Sequence, residues 1–167
     1  LDGKQSWQAF LARQEYSLLN STLYFAYGSN MNFLQMEQRC PGARFQGRGI
    51  LPNYRFHLYS RGYASVMQYE GATVWGGIWR ISDSHLATLD RYEGVAENCY
   101  YRKSIDIFLA DQNGSEDVLE CEIYFGSDSQ DGTVEARDGY LDDILEGARD
   151  TNLPHEYIIG VLYPWKS

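Results

Sequence analysis

Two short stretches of this chain carry residue types that could do chemistry. One is Tyr27-Gly28-Ser29-Asn30. A glycine lets the backbone come close to a ligand, and successive N–H groups at a helix start can cradle an anion or an oxyanion. The plainer alternative is a capping turn, because Ser and Asn are ordinary helix caps. The other stretch ends at Glu93. Leu86, Leu89, Asp90 and Glu93 fall at i, i+3, i+4 and i+7, which puts both carboxylates on or beside an apolar helical stripe. Glu93 also falls at the negative end of the helix dipole. Burial and dipole together would raise its pKa toward the range of a general acid–base. The alternative is an exposed last-turn glutamate with no partner.

Other chemistries lack their residues. A GxSxG elbow, HExxH, GxxxxGKS/T and GxGxxG are all absent. His57, His85 and His155 lie far apart in sequence, so a Ser29–His or Cys40–His nucleophile pair has little support. Cys40, Cys99 and Cys121 are odd in number, widely spaced and without a CxxC pair. Neither a disulfide framework nor a zinc site is expected, and a reducing, cytoplasmic setting fits best.

The elements that must position these residues read as α+β. Residues 6–19 predict an amphipathic helix with Trp7, Phe10, Leu11 and Leu18 near one face. Residues 23–27 predict an aromatic strand, and Asn30 is a candidate cap for a helix running to Cys40. From 43 to 81, short apolar runs broken by glycines and Pro52-Asn53 suggest three or four strands. A helix over 83–93 follows, with Asp83 or Ser82 as cap and Gly94 as its stop. Two strands at about 100–110 and 117–125 flank a hairpin turn at 111–114. A helix at 138–149 comes next, and Pro154 fits the first turn of a last short one. Strands outnumber helices without regular crossovers, so a small, curled or barrel-like sheet flanked by helices is expected.

Composition narrows the partners. The chain has 167 residues, 44% of them hydrophobic, which suits about one globular domain. Lys plus Arg number 14 against 23 Asp plus Glu, a net charge of −9, which argues against nucleic acid and anionic membranes. The charge is uneven: residues 116–150 carry twelve acids and two bases, whereas 27–103 carry nine bases and six acids. The acidic stretch reads as a solvated face. The basic excess suggests a pocket tolerant of an anionic ligand. No stretch has the length of a membrane helix, and the first residues lack the basic-then-apolar pattern of a signal peptide.

Several of these motifs together resemble one known family, the γ-glutamylcyclotransferase-like enzymes. Leu23-Tyr24-Phe25-Ala26-Tyr27-Gly28-Ser29-Asn30-Met31 is similar to the family's signature loop, and Leu89-Asp90-Arg91-Tyr92-Glu93-Gly94-Val95 to the segment carrying its catalytic glutamate. Val74 to Trp79 is similar to the strand before that helix, and Gly147-Ala148-Arg149 with Leu153 to Tyr157 to the closing helices. The likeness runs from about residue 22 to 160, which leaves residues 1–21 as a helical extension and 22–167 as the family domain.

The resemblance implies a small mixed β-barrel, no cofactor or metal, and release of 5-oxoproline from a small γ-glutamyl substrate. Glu93 would be the catalytic acid–base. Gly28, Ser29 and Asn30 would hold an oxyanion or the α-carboxylate. Tyr24, Ala26, Tyr27, Tyr100 and Tyr124 would complete the binding site. Asn30 after Gly-Ser favours the branch acting on free γ-glutamyl amino acids or amines. The leaving group stays open between amino acid, amine and natural-product intermediate, and a homodimer stays open too. The competing readings are an idle binding module on the same fold and a hydrolase using water in the same pocket.

Overall fold

A computed structural model of the chain describes residues 3–110, 116–128 and 134–166. Among them, β1 (Ser21–Ala26), β2 (Arg44–Leu58), β3 (Ala64–Ser82), β4 (Tyr100–Ala110) and β5 (Glu116–Gly126) close into a barrel in the order β1-β3-β2-β4-β5. β1 lies antiparallel to β3 and parallel to β5, and every other neighbouring pair is antiparallel. This is the mixed α+β barrel expected from the sequence. Two of its seams are narrow: β2 and β4 pair over Arg48–Ile50, and β1 and β5 only at Tyr24 and Glu122. The hairpin turn expected at 111–114 lies outside the described residues.

The segment expected to hold three or four strands holds two long ones, β2 and β3. Gly62 does mark a strand end, in the turn between β2 and β3, but two other expected breaks are bulges: the register shifts between Phe45 and Gly47 and again between Pro52 and Tyr54, with Asn53 at φ 60°. A bulge bends a strand without ending its pairing, which is what a small barrel needs. Gly76 sits where β1 and β3 come closest. A Cβ there would lie 2.2 Å from the Ala26 carbonyl oxygen, so the position requires glycine.

The helices flank the barrel. α1 (Gly3–Leu19) forms as expected, but Trp7, Phe10 and Leu11 of its stripe are exposed. α2 (Phe33–Arg39) is capped by Asn32, whose Oδ1 accepts from the Gln35 N–H at 3.0 Å. The expected cap, Asn30, instead lies two residues upstream in a 3-10 turn, Ser29–Met31, which frees its side chain. α3 spans Asp83–Tyr92 and α4 spans Tyr140–Asp150. Pro154 caps the short α5 (His155–Tyr157), just outside the first turn expected for it, and a π-helical stretch, Ile158–Leu162, continues from there.

Phe25, Met31, Leu51, Ile78, Ile107, Ile123 and Ile144 are fully buried and tie barrel and helices into one core. Each such side chain contributes about 2 kcal/mol through removal from water. α4 presses directly on the 3-10 turn. Its Gly147 has no room for a Cβ, which would stand 2.4 Å from the Asn32 nitrogen. Asp150 accepts from the Phe33 N–H at 2.9 Å, and Glu146 from Asn32 Nδ2 at 3.2 Å. The turn carrying Asn30 is thus clamped between β1, α2 and α4.

Candidate active site

α3 begins with a reciprocal cap. The His85 N–H donates to Ser82 Oγ, and the Ser82 N–H donates to His85 Nδ1. Leu89 then anchors the helix in the core, one turn before Glu93. The helix stops at Gly94, whose φ of 63° few other residues adopt readily. A Cβ on Gly94 would also meet Cys99 Sγ at 2.9 Å. Glu93 is therefore fixed as the last residue before a sharp turn, partly buried, with its carboxyl in a cavity of about 430 Å³.

Asn30 meets it from the 3-10 turn. Its Nδ2 donates to Glu93 Oε1 at 3.1 Å and to the Tyr24 hydroxyl at 2.9 Å. Its Oδ1 accepts from Arg39 at 2.7 Å and from Gln35 Nε2 at 2.9 Å. With all these partners the Asn30 amide has one orientation, and it presents a donor to the carboxylate. Arg39 also stacks over the Tyr92 ring at 4.5 Å.

Burial pushes the Glu93 carboxyl up from 4.5 to about 7. Arg39 and the Asn30 hydrogen bond work against that rise, and the nearby Asp90 adds to it. A carboxyl in this range exchanges protons readily in either direction at neutral pH. The tyrosines around it behave differently. Burial drives Tyr24, Tyr27, Tyr100, Tyr124 and Tyr140 far above the ordinary phenol range, with Asp90 also holding the Tyr124 proton. They stay neutral and build walls. Tyr27 donates to the Tyr124 carbonyl, Tyr100 to the Ala64 carbonyl, and Tyr124 to Asp90 at 2.6 Å. Asp90 is in turn held by Arg102 at 3.0 Å, which also pairs with Glu122.

Residues 24–142 match the sequence model of the family described as "Gamma-glutamyl cyclotransferase, AIG2-like". The chain belongs to the γ-glutamylcyclotransferase family. Proteins named gamma-glutamylcyclotransferase from Homo sapiens and Bos taurus are 31% and 30% identical to it over 147 residues, covering 82% of this chain and 75% of theirs. A solved structure named "Gamma-glutamyl cyclotransferase" superposes with a TM-score of 0.74 at 27% identity, over 88% of this chain and 87% of the other. The chain is an enzyme of this family.

The cavity brings together Glu93, Gly28, Ser29, Asn30, Tyr24, Tyr27, Tyr100 and Tyr124. Ala26 is not on its wall; it is buried at the end of β1, with its carbonyl against Gly76. Gln35, Arg39, Arg61, Tyr63, Arg137 and Tyr140 also line the pocket and were not singled out from sequence. For Arg39 a signal existed: it is a basic residue in the last turn of the helix that follows the Gly28 turn. Arg61 and Arg137 arrive from loops far apart in sequence. Only the regional basic excess hinted at an anion-tolerant pocket. Among the described residues, no helix is long and apolar enough to cross a membrane.

Proposed function

We propose that this enzyme converts a γ-glutamyl amide into 5-oxoproline and a free amine, with Glu93 as the proton carrier. The carboxyl accepts a proton from the substrate's α-ammonium. The freed nitrogen attacks the γ-carbonyl carbon, a five-membered ring closes, and the bond to the leaving nitrogen breaks. Over one turnover two protons pass from the α-nitrogen to the leaving nitrogen. Glu93 returns each proton that it takes, so the enzyme ends unchanged. Because the nucleophile is part of the substrate, the pocket has only to fold the chain into attack geometry. Such preorganisation alone can equal an effective concentration of about 10⁵ M or more.

The N–H groups of Gly28, Ser29 and Asn30 hold the developing oxyanion or the α-carboxylate. Tyr24, Tyr27, Tyr100 and Tyr124 exclude water and shape the site. Asn30 is a positioning residue: its amide orients the Glu93 carboxyl. The observation that carries the reading is the placement of Glu93, an acid of pKa about 7 held by a fixed amide donor inside the pocket.

Product analysis in heavy-oxygen water tests it. A panel of γ-glutamyl amino acids and amines should yield 5-oxoproline without label. Labelled glutamate would mean that water is the nucleophile and the enzyme a hydrolase. Stabilisation by these ligands with no product at all would mean a binding module.

A further inference from the structure

The pocket has a second cationic group that the chemistry at Glu93 leaves unused. Arg61 sits in the turn between β2 and β3, and Arg137 in the segment leading to α4. Both line the pocket rim and both are exposed. They are held as a pair: Arg137 Nε donates to the Arg61 carbonyl at 3.4 Å, and the Arg137 N–H to the Gly62 carbonyl at 3.4 Å. The Arg137 guanidinium stacks over Tyr63 at 5.0 Å, and Tyr63 packs edge-on against Tyr140. The Arg61 guanidinium donates, among the described residues, to a weak acceptor, Cys99 Sγ, at 2.8 Å. Among the described residues, neither guanidinium has a carboxylate within ion-pairing distance. Two cations held beside each other thus face one cavity without an ion-paired carboxylate among the described residues, with Asp143 and Glu93 elsewhere on its wall.

Their direction from the reacting centre is set by Cys99, which accepts from Arg61 and lies against Gly94, the residue after Glu93. Tyr59 packs edge-on against Tyr100 at 5.1 Å, and both rings line the cavity that Glu93 shares with the arginines. With the α-amine at Glu93 and the carbonyl beside the Gly28 turn, the part of the cavity left for the leaving group includes its Arg61 and Arg137 lining.

We infer that Arg61 and Arg137 form a subsite for a carboxylate on the leaving group, which selects γ-glutamyl amino acids or peptides over γ-glutamyl amines. This rests on the cyclotransferase reading and names its substrate class. Arginine suits the task because its planar fork matches a carboxylate and it cannot lose its charge. The contact persists until the leaving nitrogen departs, so it contributes to binding and not to the chemical step.

The test compares γ-glutamyl-L-alanine with γ-glutamyl-L-alaninamide, which differ only in the carboxylate. Wild type should favour the acid by about tenfold in kcat/KM, mostly through KM, the low end for a charged hydrogen bond because the site is exposed. In the double variant Arg61→Gln/Arg137→Gln, the ratio between the two substrates should collapse toward one. A merely structural disturbance would slow both substrates together and keep the ratio. The wild-type ratio needs no variant, so it still decides if the substitutions unsettle the rim. 5-Oxoproline formed equally well from both substrates would overturn the subsite alone. No 5-oxoproline from either would overturn the cyclotransferase reading and the subsite with it.

Discussion

Replacing Glu93 with Gln should make the protein more stable at high pH, because the wild-type carboxylate is held where ionisation is costly. The unfolded chain loses this proton near 4.5 and the folded chain near 7. Between those values the folded state binds more protons than the unfolded one, so rising pH disfavours folding. The stability that the neutral carboxyl allows is fully present below 4.5 and is lost as pH rises through about 7. The whole gap amounts to about 3 kcal/mol at 1.36 kcal/mol per pKa unit. Gln is nearly isosteric with the neutral acid and keeps the oxygen that accepts from Asn30. The two proteins should therefore unfold alike at about pH 4, and Glu93→Gln should be more stable by about 3 kcal/mol at about pH 8.5. At about 2–4 °C per kcal/mol for a chain of this size, the midpoint should rise by about 6–12 °C. Urea and thermal unfolding of both proteins across pH measure this difference, and subtracting one from the other removes the titration of every other group. Parallel pH dependences, or a variant less stable at high pH, would refute the argument that the pocket holds this carboxyl against its own charge.

Asn30→Ala removes the donor that favours the Glu93 anion, so the acid limb of the kcat/KM profile should move to higher pH. A pH–rate series would show it. Gly76→Ala forces a methyl onto the Ala26 carbonyl, a backbone atom that cannot step aside, and should cost about 3 kcal/mol in urea unfolding. Gly147→Ala should cost about 1–3 kcal/mol and also slow turnover, because it pushes α4 away from the turn that carries Asn30. Removing residues 1–19 should leave the thermal midpoint of the remainder nearly unchanged, since Trp7, Phe10 and Leu11 are exposed on α1.

Local signals made parts of the structure legible in sequence. Glu93 stood out because a helical period, a glycine stop and an apolar stripe all lie within one short segment. The same locality exposed the Gly28 turn and the α+β class, while the mixed barrel was implied by the family resemblance. What stayed hidden depended on tertiary closure. Asn30 and Asn32 are equally good caps by type, and only the packing of α4 on the 3-10 turn decides that Asn32 caps α2 while Asn30 faces Glu93. Glycines and Pro52-Asn53 end strands in an open sheet but bend them in a closed one, so two long strands looked like three or four. Ala26 lies beside pocket residues in sequence, yet it is buried at the end of β1 with its carbonyl against Gly76. Arg61 and Arg137 meet across 76 residues, and no local pattern could pair them.

The most direct measurement is the rate of 5-oxoproline release from a γ-glutamyl amino acid by wild type and Glu93→Gln, with folding of both checked by circular dichroism. If Glu93 moves the protons, the folded variant should be slower by about 10²–10⁴-fold. A folded variant that releases 5-oxoproline at the wild-type rate would contradict the assignment of Glu93 as the acid–base of this cyclisation.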